Sequence, residues 1–209
     1  MIFNCIRNIV RFFMIAFYRI HVEGFANFPA SGAIVICANH TFVKDLFVIG
    51  CASPRKIYWM AKAELFQIPL FGSLIRRLGA FPVNRGSGDR DSIRTVYGIL
   101  NAGEPLGIFP EGTRILDPYN RPPYKRGFVS FAVNSGASIL PVALRYEDGP
   151  FGRGKMFSRV VISYGKAVEV DRDHKYSRSE IDDITVSVSA WINENIQPPL
   201  RHSERSAES

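Results

Sequence analysis

The chain has 209 residues, of which 46% are hydrophobic, and its formal net charge is +7. This length and apolar content suffice for one globular domain with a proper core, so no second domain is required. The excess of basic residues indicates an anionic partner: a nucleic acid, a membrane surface or a phosphorylated substrate.

The cysteines indicate the compartment. Cys5, Cys37 and Cys51 are odd in number and lack C-x-x-C spacing, which argues against both a disulfide framework and a zinc site. The four histidines form no ligand cluster with them. We therefore expect a reducing cytosolic environment and no structural metal.

The first predicted element is an amphipathic helix from Met1 to Ile20. Apolar residues recur on one side at helical spacing, and polar and cationic residues cluster on the other. The apolar set is Ile2, Ile6, Ile9, Phe13, Phe17 and Ile20. The helix is too interrupted to span a bilayer, which needs about 20 mostly apolar residues, and Arg7 and Arg11 argue against a signal peptide. It is predicted to lie in the membrane interface, with packing on its own domain as the alternative.

Strands and helices then alternate along the chain. Strands are predicted at 33–38, 56–60, 80–83, 106–109, 139–144 and 159–164, and helices from about 45, from 69 to 79, from 91 to 103, from 128 to 134, and after the capping box of Ser177 and Glu180. Pro141 is expected at the start of its strand or at a sheet edge, because proline lacks a ladder donor. The alternation predicts a single-domain α/β sandwich around a largely parallel sheet. We expect a membrane-associating helix over 1–24, the main domain over 25–200 and a disordered tail over 201–209.

The segment Asn-His-Thr-Phe-Val-Lys-Asp at 39–45 follows the first buried strand. Histidine can take a proton near neutral pH, and an adjacent aspartate can fix its tautomer and stabilise the imidazolium. In a regular helix, a spacing of five residues leaves two side chains about 140° apart. His40 is therefore predicted in the turn that ends the strand and Asp45 in the first turn of the next helix, where a carboxylate suits the helix dipole. Taken alone, the two residues favour a loop histidine beside a helix-capping aspartate.

Three further segments occur downstream in order. They are Gly-Ala-Phe-Pro-Val-Asn-Arg at 79–85, Phe-Pro-Glu-Gly-Thr-Arg at 109–114 and Ile-Leu-Pro-Val-Ala-Leu at 139–144. Together with the histidine segment they resemble the four blocks of the glycerolipid acyltransferase family, the PlsC-like lysophosphatidate acyltransferases, and 59–65 looks like the lysine-bearing segment of that family. The resemblance runs from about residue 39 to residue 144. Two positions depart from the family pattern, because Phe42 and Ile115 stand where it has serine.

The resemblance implies the glycerolipid acyltransferase fold over 25–200 and a set of site residues. An acyltransferase must deprotonate a hydroxyl, hold an anionic acceptor and stabilise an oxyanion. His40 suits the first task, and Asp45 would hold it. The substrate phosphate would be bound by Lys62, Arg85, Glu111, Gly112, Thr113 and Arg114. Surface ion pairs are the alternative for the arginines, and the basic stretch at 124–128 has no assigned role.

The resemblance also implies the reaction. A fatty acyl group would pass from acyl-CoA or acyl-carrier protein to the free sn-2 hydroxyl of 1-acyl-sn-glycerol 3-phosphate, giving phosphatidic acid for phospholipid biosynthesis. Direct attack is expected without an acyl-enzyme, in agreement with the absence of a G-x-S-x-G elbow. We expect no cofactor and no nucleic acid as partner. The expected partners are the lysophospholipid acceptor, the acyl donor and an anionic membrane surface, and the expected location is the cytoplasmic face of the cell membrane, peripheral or monotopic.

Three alternatives remain at this point. The enzyme would act on another lysolipid, or it would be a lipid thioesterase or lysophospholipase in which His40 activates water instead of an alcohol. The third alternative is a non-catalytic module that binds an anionic lipid or a nucleic acid through its excess of lysine and arginine.

Overall fold

The computed structural model describes residues 2–84, 89–117, 121–147 and 155–197. Its helices are α1 (Ile2–Phe17), α2 (Asp45–Ala52), α3 (Phe71–Arg77), α4 (Arg90–Asn101), α5 (Gly127–Ser135) and α6 (Arg178–Ile196). Its strands are β1 (Arg19–Glu23), β2 (Ile34–Ala38), β3 (Tyr58–Lys62), β4 (Ala80–Val83), β5 (Pro105–Ile108), β6 (Ser138–Tyr146) and β7 (Arg159–Tyr164), and short 3-10 helices cover Phe25–Asn27 and Ala63–Gln67. The predicted tail at 201–209 lies outside the described residues.

The strands form one seven-stranded sheet in the order β1-β7-β6-β2-β5-β3-β4. All neighbouring pairs are parallel except β6 with β7. The predicted α/β sandwich around a largely parallel sheet is confirmed. The carboxyl ends of β2 to β6 consequently share one side of the sheet, which we call the carboxyl edge.

Helices cover both faces of the sheet. The side chains of β2 alternate between two cores: Ile34, Ile36 and Ala38 join the core under α1, α2 and α3, whereas Val35 and Cys37 join the core under α4, α5 and α6. Every residue of β2 is buried. This two-sided burial explains why the strand is a continuous apolar run rather than an alternating one.

The N-terminal segment differs from its prediction. α1 ends at Phe17, and Arg19–Glu23 forms the edge strand β1, which pairs in parallel with β7. The predicted helix to Ile20 and the predicted domain boundary at 24 are therefore wrong, because β1 belongs to the main sheet. The alternation of exposed and half-buried residues in β1 has a period of two, but Ile20 also fits the helical spacing of the residues before it.

α1 is apolar on two sides. Val10, Met14 and Phe17 are half-buried toward the domain, while the exposed fractions of Ile9, Phe12 and Phe13 are 52%, 69% and 50%. Within the described residues, no helix has both the length and the apolar character required to cross a bilayer.

Pro141 occupies an interior strand, contrary to the expected strand start or sheet edge. Pairing between β6 and β7 ends at Val142 and Tyr164, and Ile139 then forms an isolated bridge with Val168. Pro141 lies at the break between these two stretches, where Gly165 N–H donates to its carbonyl at 2.9 Å. The missing proline donor thus falls at an interruption of the ladder.

Candidate active site

The turn that carries His40 is attached to the sheet by Asn39. Main-chain pairing of β2 with β6 ends at Ala38 and Val142. The Asn39 side chain then continues the ladder, since its Nδ2 donates to Leu144 O at 2.9 Å and its Oδ1 accepts from Leu144 N at 2.7 Å. This buried amide acts as a surrogate strand residue and fixes where the turn begins.

His40 and Asp45 are in contact, as the spacing predicts. His40 lies in the turn after β2, Asp45 opens α2, and His40 Nδ1 is 2.9 Å from Asp45 Oδ2. The same carboxylate oxygen accepts the backbone N–H groups of Thr41 at 2.7 Å and Phe42 at 2.8 Å. The Asp45 side chain is fully buried, so these donors take the place of water around its charge.

Tyr146 provides a further hydrogen bond to Asp45. The Tyr146 hydroxyl, at the end of β6, donates to Asp45 Oδ1 at 2.6 Å. Burial and the adjacent Asp45 carboxylate raise the pKa of Tyr146, so this hydroxyl stays a proton donor. Asp45 therefore accepts four hydrogen bonds, of which one comes from the imidazole that it orients.

Phe42 and Lys44 pack on Tyr146. The Phe42 ring meets the Tyr146 ring edge-on, with centroids 4.8 Å apart. Lys44 Nζ lies 4.8 Å from the Phe42 centroid and 5.0 Å from that of Tyr146, and it donates to the hydroxyl of Tyr18 at 3.1 Å. Phe42, the departure from the family serine, thus fills a position against the tyrosine that holds Asp45.

The main chain of His40 is held by the segment at 109–115. His40 N–H donates to Glu111 Oε2 at 3.1 Å, and His40 O accepts from Ile115 N–H at 2.8 Å. Ile115 acts here through its backbone, so its difference from serine does not remove this contact. Both backbone polar groups of the candidate base are thereby fixed to one loop.

Glu111 is placed differently from its expected role among the phosphate-binding residues. Its side chain has no exposed surface, and its Oε1 forms an ion pair with Arg121, whose side chain is 6% exposed. Burial raises the pKa of Glu111, while the Arg121 guanidinium and the His40 N–H oppose that rise. A buried carboxylate of this kind supports the turn and does not face a substrate phosphate.

Gly112 also supports the turn. Its φ is +72°, and a Cβ at this position would lie 2.9 Å from Lys125 Nζ. Gly112 N–H donates to Phe109 O at 3.1 Å, so this group is engaged within the turn. The left-handed backbone conformation favours glycine here, while the flexible Lys125 side chain could move to accommodate a larger residue.

The His40 ring lies on a stack of aromatic rings. Its centroid is 4.1 Å from that of Phe109 at an interplanar angle of 13°, and Phe109 stacks on the buried Trp59 at 4.9 Å. Together with the bond from Nδ1 to Asp45, this stack fixes the plane of the imidazole. Nε2 is the remaining nitrogen, and the His40 side chain is 16% exposed.

A cleft of about 310 Å³ opens at the carboxyl edge beside His40. Lys62, Thr113 and Arg114 contribute its polar lining. The rest of the lining is apolar and consists of Val43, Leu46, Met60, Ala61, Leu65 and Phe109. The cleft is therefore suited to a molecule with an anionic end and an aliphatic part.

The structure brings His40, Lys62, Thr113 and Arg114 to this one cleft, while Gly112 and Glu111 lie in and beneath the turn. Lys62 Nζ is 2.9 Å from Glu64 Oε1 in a half-exposed ion pair. Arg85 lies outside the described residues. Within the described ranges, no three His, Cys, Asp or Glu side chains form a group that could hold a metal ion.

Two residues with direct roles around His40 were not predicted. Tyr146 follows the fourth block by two residues and lies 101 positions from Asp45 in the chain. Arg121 is in an irregular segment ten residues after Glu111. The only sequence signal for Tyr146 is a polar-tipped aromatic residue at the carboxyl end of a buried strand, and a lone arginine such as Arg121 is usually a surface residue.

The chain matches known proteins in this region. The family model described as Acyltransferase matches residues 19–145, which include β1 and every site residue named above except Tyr18 and Tyr146. The 1-acyl-sn-glycerol-3-phosphate acyltransferase of Bacillus subtilis is 33% identical over 172 residues, covering 80% of this chain and 83% of that protein. The protein of the same name from Borreliella burgdorferi is 30% identical over 173 residues, covering 79% of this chain and 68% of that protein.

The fold also matches a solved structure. The crystal structure of the 1-acyl-sn-glycerophosphate (LPA) acyltransferase PlsC from Thermotoga maritima superposes with a TM-score of 0.72 at 24% identity. The match covers 93% of this chain and 78% of that one. At this identity the likeness concerns the fold.

Proposed function

Because this chain belongs to the acyltransferase family, we propose that it transfers a fatty acyl group from a thioester donor to the free sn-2 hydroxyl of 1-acyl-sn-glycerol 3-phosphate. The observation that carries the proposal is the position of the His40 and Asp45 pair at the wall of a cleft with a cationic end and an apolar lining. The names of the relatives in Bacillus and Borreliella support the choice of acceptor.

His40 is the general base in this reaction. With the proton on Nδ1 directed at Asp45, Nε2 is free to take the proton of the acceptor hydroxyl. As that proton leaves, the acceptor oxygen forms a bond to the thioester carbonyl carbon. The buried Asp45 stabilises the imidazolium that results.

The tetrahedral intermediate then collapses. The bond between carbon and sulfur breaks, the sulfur leaves as a thiolate, and the imidazolium returns its proton to give a free thiol. The proton that His40 takes from the acceptor hydroxyl ends on the departing sulfur, and no atom changes its oxidation state. The two steps therefore require no resident cofactor and no covalent acyl-enzyme. The donor thiol belongs to coenzyme A or to the prosthetic arm of an acyl-carrier protein.

The phosphate of the acceptor binds at the polar side of the cleft. Thr113 and Arg114 are exposed there in the loop after β5, and Lys62 adds a positive charge from the end of β3. The guanidinium of Arg114 can make bidentate contacts with phosphate oxygens. Arg85 is proposed as a further phosphate ligand from the segment after β4.

The protein meets its lipid substrate at the membrane surface through α1. The outward stripe of Ile9, Phe12 and Phe13 is exposed and apolar, and Arg11 lies beside it. This combination favours a helix lying in the interface of an anionic bilayer. We place the enzyme on the cytoplasmic face as a peripheral or monotopic protein.

A product assay tests the reaction. Purified protein is incubated with acyl-CoA or acyl-carrier-protein thioester and a panel of lysolipids with and without a phosphate monoester, and the products are identified by mass. We expect phosphatidic acid from 1-acyl-sn-glycerol 3-phosphate. Release of free fatty acid without dependence on acceptor would instead indicate a thioesterase, and preference for an acceptor without phosphate would overturn the assigned substrate.

A trapping assay tests the route. A labelled thioester donor is mixed with the enzyme during turnover, and the denatured protein is analysed for bound label. Direct transfer predicts an unlabelled protein. A stoichiometric acyl-protein adduct that disappears when acceptor is added would contradict it.

A further inference from the structure

The loop at 68–70, between the 3-10 helix Ala63–Gln67 and α3, carries exposed apolar side chains. The exposed fractions of Ile68 and Leu70 are 48% and 89%. Apolar side chains this exposed usually occur singly on a protein surface, and here two are separated by one proline. The loop tip is therefore an apolar projection.

The backbone of this loop is strained. Leu70 has φ 62° and ψ −47°, and Phe71 N–H donates to Pro69 O at 2.6 Å. These values define the rare form of the γ-turn, which an L-residue with a branched side chain adopts at a cost in energy. Packing does not explain the arrangement, because the strained residue directs its side chain into solvent.

The loop lies at the carboxyl edge, beside the active site. It follows β3, and Leu65 of the same segment lines the cleft with His40. Behind the loop, the Phe71 ring contacts that of Phe47 in α2 with centroids 6.5 Å apart. The carboxyl end of α1 reaches the same edge, because β1 starts there antiparallel to β6.

Basic side chains accompany the apolar tip. Arg76 and Arg77 are exposed on α3, and the Arg76 guanidinium lies 5.0 Å from the centroid of the Phe66 ring. Exposed aliphatic side chains flanked by arginines fit the boundary between acyl chains and anionic headgroups. A lipid bilayer is thus the occupant that matches both the apolar and the charged parts of this surface.

We infer that the 68–70 loop is a second membrane contact, which inserts Ile68 and Leu70 into an anionic bilayer while α1 lies on it. The inference rests on the proposed function in one respect, namely that the substrate is a membrane lipid. Because Leu65 of this segment lines the cleft and α1 ends at the same edge of the sheet, the two contacts would hold the cleft near the bilayer, so that a lysolipid can enter without crossing water.

Fluorescence tests the insertion directly and without substrate. The substitution Leu70→Trp is introduced into the 209-residue chain. The tryptophan emission of this variant is compared with that of the wild type, whose two tryptophans give the background. Vesicles of equimolar phosphatidylcholine and phosphatidylglycerol are expected to shift the added emission to the blue, and brominated lipid to quench it. Val186→Trp, at a position 65% exposed on α6, is the matched control and is expected to show neither effect.

Co-sedimentation tests the contribution to binding. Ile68→Ser combined with Leu70→Gly is expected to weaken vesicle partitioning roughly tenfold, whereas Val186→Ser leaves it unchanged. Leu70→Gly alone should keep or raise Tm, because glycine adopts this backbone conformation without strain. A loss of partitioning at unchanged Tm therefore reports the membrane contact and not the fold.

The outcomes separate the inference from the proposed function. The inference would be overturned if Leu70→Trp co-sediments with vesicles as the wild type does but its added emission is neither shifted to the blue nor quenched. That result would leave α1 as the contact. Blue-shifted emission before vesicles are added, together with a doubled molecular mass, would assign the loop to self-association and also overturn it. Insertion by a protein without acyltransferase activity would retain the membrane contact and reject the proposed reaction.

Discussion

The Tyr146 hydroxyl donates a hydrogen bond to Asp45 Oδ1 at 2.6 Å, so the end of β6 supports the carboxylate that orients His40. The contact is buried, and it joins a residue outside the acyltransferase blocks to the catalytic turn. Asp45 would keep three donors without it, all of them on Oδ2. Tyr146 is therefore a positioning residue for the proposed general base.

Tyr146→Phe is expected to lower kcat roughly tenfold with little change in the KM of the acceptor, because Asp45 loses a donor while the cleft is unaltered. Stability should fall by about 1 to 3 kcal/mol, since Asp45 Oδ1 would be left buried without its partner. Steady-state kinetics and urea unfolding measure the two effects. Tyr164→Phe is the control: it removes a buried hydroxyl that lies 3.3 Å from Ser53 Oγ, away from Asp45, and should leave kcat unchanged.

His40→Ala is expected to reduce kcat by at least about 10²-fold, because the acceptor hydroxyl loses its base. Vesicle binding should be retained, since His40 lies inside the cleft and not on α1. His174→Ala removes an exposed histidine paired with Glu180 and should retain full activity. Undiminished turnover in His40→Ala would favour a base elsewhere or a non-catalytic lipid-binding module.

Arg121→Met is expected to destabilise the protein by about 3 to 5 kcal/mol, because it leaves Glu111 as a buried charge without a partner. Glu111→Gln in the same chain should recover much of that loss while keeping an acceptor for His40 N–H. Urea unfolding of the two single variants and the double variant gives the coupling energy. Simple additivity of the single effects would show that the pair does not act as a unit.

The same ion pair predicts a pH dependence. Burial raises the folded-state pKa of Glu111, and Arg121 opposes the rise, so Arg121→Met should raise it further. A folded-state pKa above the unfolded value of about 4.3 means that the stability contribution is present below that pH and is lost as pH rises through the folded pKa. Stability of Arg121→Met should therefore decline from about pH 4.3 upward more steeply than that of the wild type.

Much of the catalytic turn could be predicted from local spacing. A spacing of five positions from His40 to Asp45 excludes a shared helical face, and the buried strand before them places the turn at the carboxyl edge. The contacts of Tyr146 and Arg121 could not be predicted in this way, because each depends on how distant segments meet after folding. The burial of Glu111 could not be predicted for a related reason: a carboxylate between proline and glycine is expected at the surface, and only the fold brings Arg121 against it.

The sheet core was predictable where burial on both sides produced long apolar runs, as in β2 and β6. The edge strand β1 was not predictable in this way. It has only five residues, of which Ile20 and Val22 are half-buried, and the apolar spacing of the preceding helix continues to Ile20. The interior position of Pro141 could not be predicted. A proline is tolerated there because pairing on that side is interrupted between β7 and the bridge at Val168, and this interruption is a property of the partner segment.

Arg114→Ala is expected to raise the KM for 1-acyl-sn-glycerol 3-phosphate roughly tenfold with a smaller effect on kcat, because a charge-assisted contact to phosphate is lost. An acceptor without phosphate should be affected much less. Arg94→Ala is the matched control, since Arg94 is 84% exposed and paired with Asp91 on α4. An equal loss for both acceptor types would assign Arg114 to the acyl donor or to the structure of the turn.

Substitution of the outward stripe of α1 tests its membrane role without disturbing β1. Phe12→Ser with Phe13→Ser is expected to move the protein from the membrane fraction toward the soluble fraction, because it removes two exposed aromatic side chains from the interface. Val10, Met14 and Phe17, which face the domain, stay in place, so Tm should change little. Val186→Ser controls for the loss of an exposed apolar side chain elsewhere. Unchanged membrane association of the Phe12 and Phe13 variant would refute anchoring by this face of α1 and leave the 68–70 loop as the remaining contact.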